Sequence, residues 1–285
     1  MGYQLWISPM TGIRRKGTTF KELQTIFIDN ITTKLIYEPI YCCRADDYAN
    51  EVKEDLERRD FDVIGVIDEN ENIFGFAFKK DLIDNTVNEY TRKIELENIT
   101  ADSTPIIELL SILSNNPYSF VIQKNKIVGI VTRADINKPI VRIYIFGIIS
   151  LLEMHLNFWI IEYYKNDLWN TQIQKKRFEE AKKIFITRKG NNDDLTLLEC
   201  VQFCDKRDIL KKTDEFLGQF KFSKNQFERI LKDSEKIRNE LAHSHNSIIA
   251  NLNWKKFVST ISSIELFLHK SEDIGETRVQ THRNE

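Results

Sequence analysis

Tyr118-Ser-Phe-Val-Ile-Gln123, Lys124-Asn-Lys126, Ile127-Val-Gly-Ile-Val-Thr132 is the stretch whose reading decides the fold. Two β-rich runs flank a short polar turn, which reads as a hairpin. The same pattern occurs once earlier in the chain. Asp62-Val-Ile-Gly-Val-Ile67 is followed by Asp68-Glu-Asn-Glu-Asn72 and then by Ile73-Phe-Gly-Phe-Ala-Phe78. Aligning the copies places Gly75 on Gly129 and Asp81 on Asp135. Each hairpin follows a helical pattern, over 46–59 and 104–114, and each leads into a helix start, at Asp81 or Asp135. An internal repeat of this kind fixes the architecture of the N-terminal half before any single residue is interpreted.

Working outward, the chain of 285 residues is long enough for two domains of roughly 100–200 residues each. Apolar residues make up 41% of it, and 18 Phe, 9 Tyr and 4 Trp supply real cores and argue against disorder. The formal net charge of −2 is far from that of a dedicated nucleic-acid binder, so any RNA contact has to come from local patches. Lys175, Lys176, Arg177, Lys182, Lys183, Arg188 and Lys189 form one such cluster, and Lys206, Arg207, Lys211 and Lys212 another. Interleaved Glu179, Glu180, Asp205 and Asp208 make solvated helix faces the expected reading of most of them. Arg14, Arg15, Lys16 and Gly17 read as a basic surface turn.

Cys42, Cys43, Cys200 and Cys204 read as free thiols of a reducing cytoplasm, because no signal peptide is visible. Cys200 and Cys204 lie four apart on an expected helix, but no further ligand at usual spacing completes a metal set, so packing is their expected role. Ile143 to Leu152 is the most apolar run. It falls short of the ~20 residues a bilayer demands and is followed by Glu153, so it reads as a buried helix and no membrane contact is expected.

The character changes at Asn137-Lys138-Pro139. From there to about Lys270 the periodicity is helical, with helices expected near 139–165, 169–187, 194–211, 224–248 and 251–269, joined by short connections as in an antiparallel bundle. Ser223 with Gln226 forms a capping box and Phe222 with Phe227 a hydrophobic staple. Phe227, Ile230, Leu231, Ile237, Leu241 and Ile248 then mark one face. Residues 1–34 read as an extension packed on the sensor half, and 271–285 as a polar, disordered tail. The fold class is α+β.

Near the end of the fourth helix stands Arg238-Asn239-Glu240-Leu241-Ala242-His243. An unperturbed imidazole titrates near ~6.5 and moves a proton at neutral pH. A guanidinium holds a phosphate while charge builds on it. At ~100° per residue Arg238 falls in the apolar stripe, whereas Asn239 and His243 share another side. The helix therefore bends, or the two line one cleft, or a second subunit completes the site. Glu153 either reaches that cleft or pairs with Arg238, and pairing is the expectation. His245 is a possible auxiliary.

The β-rich repeat resembles the paired CBS (cystathionine-β-synthase-type) module over 35–138. Its best motif is Gly129-Ile-Val-Thr132-Arg-Ala-Asp135. The resemblance implies that Thr132 contacts a nucleotide phosphate, that Asp135 holds the ribose, and that Gly129 lets backbone approach the ligand; the alternative is that Thr132 merely caps a helix. The implied ligand is a regulatory adenine nucleotide (AMP, ADP, ATP or a relative), bound once, because the first copy carries Phe78 where the hydroxyl belongs. The helical half, 139–270, resembles the HEPN superfamily (higher eukaryote and prokaryote nucleotide-binding), antiparallel bundles that pair as homodimers. Their ribonucleases carry an Arg, often followed by Asn or Asp, and then a His, matched here by Arg238, Asn239 and His243. This implies a metal-independent endoribonuclease that leaves a 2′,3′-cyclic phosphate, acts on an RNA substrate and is controlled by the nucleotide, a toxin-like effector of stress or antiviral (phage) defence. The rival expectation is a non-enzymatic nucleotide sensor whose helical half serves dimerisation or partner docking.

Overall fold

The computed structural model of the chain describes residues 19–191, 195–243 and 247–284. It divides into two compact units, one of Phe27–Ile140 and one of Val141 onward together with the residues up to Ile26. The first helix, α1 (Phe20–Asn30), crosses that division.

In the β-rich unit, β1 (Cys42–Arg44), α2 (Ala49–Arg59), β2 (Val63–Ile67) and β3 (Ile73–Phe78) make one copy of the repeat, with β4 (Arg92–Lys93) on the sheet edge. β5 (Ile99–Ala101), α3 (Ile106–Asn115), β6 (Tyr118–Gln123) and β7 (Lys126–Thr132) make the other. β1 runs parallel to β2, and β5 parallel to β6. These leading strands are too short for period-two alternation to announce them. The hairpins share their register. Val66 faces Gly75 and Val121 faces Gly129, and each hairpin shifts register just beyond, between Val66 and Ile67 or Val121 and Ile122. A repeated bulge turns the strand at the same point in both copies. α2 buries Val52 and Leu56 against Ile64, Val66 and Ala77 of its own sheet. Phe76 and Phe120, at 4.9 Å between ring centroids, join the two copies. The helices expected after each hairpin are single 3-10 turns, Lys79–Asp81 and Arg133–Asn137.

Glycine at 129 has a steric cause. A Cβ there would collide with the Tyr37 ring and the Glu38 carbonyl oxygen. That approach is fixed by a backbone pair, Glu38 N to Ile130 O at 2.9 Å and Ile130 N to Glu38 O at 2.8 Å. At the matching Gly75 a Cβ would meet the Arg92 carbonyl oxygen at 2.8 Å. Both glycines admit a neighbouring strand of the chain itself.

The helical unit contains α4 (Pro139–Tyr163), α5 (Lys175–Gly190), α6 (Phe203–Lys211), α7 (Asp214–Phe220), α8 (Lys224–Ala242) and α9 (Trp254–Asn284). α8 starts where its sequence indicates, with the serine half of the expected capping box and the staple: Ser223 Oγ accepts from Gln226 N at 3.1 Å, and the Phe222 and Phe227 rings lie 5.7 Å apart. It stops at Ala242, short of the expected 248. α7 is an additional helix, closed by Lys221 in the left-handed region (φ 57). α4 is long and apolar enough to cross a membrane by length and composition, and its inner face, including Tyr144, Ile148, Leu152, His155 and Trp159, is buried inside the unit.

Two expectations are corrected here. Residues 271–284 are not a disordered tail but continue α9, because Ser271 and Glu272 are wholly buried and each answers a donor. The Glu272 carboxylate accepts from the backbone N–H groups of Phe20 and, at 3.3 Å, Lys21, the orphan donors that open α1. It follows that residues 19–26 belong to the helical unit; only Phe27 onward joins the β-rich unit. The turn expected at Arg14–Gly17 lies outside the described residues. The α1 start also carries a capping box, Thr19 with Glu22, legible in the sequence as Thr-x-x-Glu.

Trp159 Nε1 donates to Ser271 Oγ at 2.6 Å, which leaves the serine hydroxyl to donate to His155 Nδ1 at 2.7 Å. Complete burial holds the His155 imidazole neutral and lowers its pKa to about 3.

Two predictions follow from this packing. Gly129→Ala should destabilise by about 1–3 kcal/mol through overpacking, whereas Gly218→Ala, in α7 with nothing within 4 Å of an added Cβ, should stabilise by up to ~1 kcal/mol; thermal melts of the two variants check the contrast. Because folding depresses the His155 pKa, its contribution is complete above the unfolded value near 6.5 and is lost as pH falls toward about 3. Urea unfolding should show about 2 kcal/mol lost from this group between pH 7 and pH 5, and His155→Gln should flatten that slope.

Candidate functional site

Each unit carries one candidate site. In the β-rich unit it is the turn after β7. Thr132 Oγ1 accepts from Ala134 N at 3.2 Å and donates to Asp135 Oδ2 at 3.0 Å, while Thr132 N donates to the same oxygen at 2.7 Å. Asp135 Oδ1 pairs with Lys138 Nζ at 2.9 Å. Asp135 is buried, and the Lys138 ammonium also bonds the Ile36 carbonyl and the Glu38 carboxylate. Burial opposes the Lys138 charge, but the hydrogen bonds to Glu38 and Asp135 outweigh it and raise its pKa above the ordinary lysine value. Arg133, between the motif residues, caps α3 by donating to the carbonyls of Leu113 (2.8 Å) and Ser114 (3.1 Å).

Thr132 and Asp135 thus lie together as expected, in a cap of the following turn. The groups packed against Gly129 are the Tyr37 ring and the Glu38 carbonyl oxygen. In the first copy Phe78 and Asp81 take the matching positions. Asp81 pairs with Arg92 at 2.6 Å, and the Arg92 guanidinium lies 5.0 Å from the Phe78 ring centroid. Both copies therefore hold their carboxylate against a cation. Lys138 and Glu38 were missed from sequence. Only the Lys, three residues beyond an Asp across a turn, left a trace there.

In the helical unit Arg238 is half-buried on α8, with its guanidinium carbon 5.8 Å from the centroid of the Phe203 ring of α6. Among the described residues it has no carboxylate partner. Asn239 and His243 are exposed. His243 is the C-cap of α8, its N–H donating to Asn239 O at 3.0 Å, so the helix ends where the histidine projects. A cation is favoured at that end of a helix dipole. Arg142 also reaches this end, donating to the Glu240 carbonyl at 3.4 Å. His245 lies outside the described residues.

Glu153 does not pair with Arg238. It pairs with Lys206 at 2.6 Å, and the Lys206 side chain is 1% exposed. In the second basic cluster Lys206 is buried, Arg207 and Lys211 are half-buried and Lys212 is exposed, and most of these cations and the neighbouring Arg177 have carboxylate partners. Arg177 binds Asp205 at 2.7 Å, Arg207 lies 2.9 Å from Asp208, and Lys211 pairs with Glu228. The Glu228 carboxyl, held between Lys211 and Lys232, falls to about 2. A cleft of about 530 Å³ opens among these groups, lined by Gln172, Arg177, Arg207, Lys211, Lys212 and Glu228 among others. Its cations are largely answered from within. The four cysteines are free, and burial pushes the Cys43 thiol to about 12, which leaves it inert at neutral pH.

Two tandem strand–helix–hairpin copies joined through Phe76 and Phe120 define a β-α module that precedes a helical unit in the chain. Residues 95–142 match the model of the CBS domain family, so the second copy is a CBS domain. None of the curated proteins matches the sequence. Similar solved structures include the CBS domains of a transcriptional regulator from Streptococcus pneumoniae, 18% identical over 38% of this chain and 98% of that one, with a TM-score of 0.33. Another is CBSX2 in complex with AMP, 18% identical over 39% of this chain and 97% of that one, with a TM-score of 0.35. A third is the CBS domain of a bacterial CNNM/CorC family Mg2+ transporter in complex with ATP, 16% identical over 41% and 92%, with a TM-score of 0.33.

Glu153→Ala strands the buried Lys206 ammonium and is expected to cost about 3–5 kcal/mol in urea unfolding. Adding Lys206→Met should recover much of that loss. Equal losses in the single and double variants would show that the pair is not desolvated.

Proposed function

We propose that the chain is a nucleotide-regulated, metal-independent endoribonuclease of the cytoplasm, working as a homodimer. The observation that carries this reading is the state of Arg238. Arg177, Arg207, Lys206 and Lys211 each have a carboxylate, whereas Arg238 rests on an aromatic ring with none among the described residues. A guanidinium left in that state retains its fork of donors for a phosphate, and exposed Asn239 and His243 follow it at the helix end.

In this mechanism an RNA 2′-hydroxyl attacks the adjacent phosphorus and the 5′-oxygen leaves, giving a 2′,3′-cyclic phosphate and a 5′-hydroxyl. His243 transfers the proton. Arg238 stabilises the charge that gathers on the phosphoryl oxygens. Asn239 orients the phosphate or the imidazole. The dimer accounts for a further feature, exposed Ile143, Phe146 and Ile161 on α4, which a second copy would cover. In the β-rich unit an adenine nucleotide takes the Thr132–Asp135 turn. α4 begins at Pro139, directly after that turn, and carries the signal into the helical unit. The proposed setting is stress or phage defence.

The test is RNA cleavage by the purified protein beside His243→Ala, with EDTA present and AMP, ADP and ATP added in turn. Activity should drop by at least a hundredfold in the variant and change with one nucleotide. Equal cleavage by both proteins would remove His243 from the mechanism. No cleavage by either, alongside measured nucleotide binding, would favour the non-enzymatic sensor with a docking or dimerisation module.

A further inference from the structure

The Thr132–Asp135 turn contains a group that the nucleotide reading does not use, the Lys138 ammonium. A carboxylate offers about four lone-pair sites. Three at Asp135 are filled, by Thr132 N and Thr132 Oγ1 on Oδ2 and by Lys138 Nζ on Oδ1. A ribose cis-diol donates two hydrogen bonds, so one donor has to leave before the diol can bind. The Thr132 N–H and hydroxyl belong to the cap that holds the turn together, and releasing them unmakes Arg133–Asn137. Lys138 sits on a flexible stem with its side chain 29% exposed, and it is the donor free to move.

Its departure has a cost that depends on the ligand. The ammonium would keep only the Ile36 carbonyl and the more exposed Glu38 carboxylate. A neutral nucleoside offers it nothing in return. A sulfonium nucleoside would repel it. A nucleoside phosphate brings an anion to the turn, within reach of the ammonium that has just left Asp135. Resting on the nucleotide-site reading above, we propose that Lys138 is the specificity-determining residue of the site, selecting phosphorylated nucleosides by exchanging Asp135 for the ligand phosphate. The exchange also falls at the right place in the chain. The Lys138 N–H donates to the Asp135 carbonyl at 3.1 Å, and the next residue, Pro139, is the first of α4. Ligand chemistry is thereby read one residue before the helix that leaves the unit.

The experiment is calorimetric titration of the full chain with adenosine, AMP and ATP, using wild type, Lys138→Gln and Lys138→Arg, with melts showing that each variant is folded. Wild type should prefer AMP to adenosine by at least tenfold. In Lys138→Gln that ratio should shrink below threefold from both directions: AMP weakens, and adenosine tightens because no cation is evicted. Lys138→Arg should restore the preference. A structural role for Lys138 would weaken all probes alike and leave the ratio unchanged, and that outcome overturns the proposal while leaving the nucleotide site standing. Failure of all three probes to bind both wild type and Lys138→Gln would overturn the site itself and this proposal with it.

Discussion

A charge removed from water has to be answered, and this constraint organises both halves of the molecule. Glu272, wholly buried, exists in its place because it closes the open end of α1. Lys206 is tolerated at 1% exposure because Glu153 stands opposite on α4. Asp205 is buried against Arg177. Asp135 is buried because a turn N–H, a hydroxyl and an ammonium converge on it. With nearly equal numbers of acidic and basic residues in the chain, 43 and 41, pairing can run far, and the cations left without carboxylates become informative. Arg238 is one of these.

The repeat was legible in the sequence because hairpins write themselves locally. Alternation, a polar turn and a glycine recur at matched offsets, and the observed registers place Gly75 with Gly129 and Phe78 with Thr132 as the alignment required. The leading strands β1 and β5 were not legible, since three residues pairing in parallel with a distant partner leave no periodic trace. The steric demand at Gly129 was hidden for the same reason. Its neighbour is Tyr37–Glu38, nearly a hundred positions away in sequence, and only the fold brings that backbone over it. The start of α8 was readable from Ser223, Gln226 and Phe222, whose partners all lie within one turn.

Polar residues misled in the opposite sense. Ser271 and Glu272 looked like the beginning of a solvated tail, and Lys206 like part of a wet helix face. Composition assigns such residues to the surface, and the base rate supports it. What reverses the assignment is a partner on another helix: α1 for Glu272 and α4 for Lys206. The expectation that Glu153 served Arg238 failed on the same point. Glu153 has one carboxylate, and the more deeply buried cation claims it, because the energetic penalty of leaving Lys206 alone exceeds that of leaving a half-buried guanidinium on an aromatic ring.

That competition ties the stability of the helical unit to its proposed chemistry. Had Glu153 neutralised Arg238, a phosphate would have had to displace a carboxylate to reach it. With Lys206 taking the carboxylate, Arg238 has no carboxylate among the described residues and rests on Phe203, a contact worth about 0.5–2 kcal/mol that holds the guanidinium without consuming its donors. The two candidate sites therefore stand in opposite electrostatic states. At Asp135 the protein supplies its own cation, and a ligand has to trade for it. At Arg238 no carboxylate stands opposite among the described residues, and in the proposed mechanism a substrate phosphate supplies the anion.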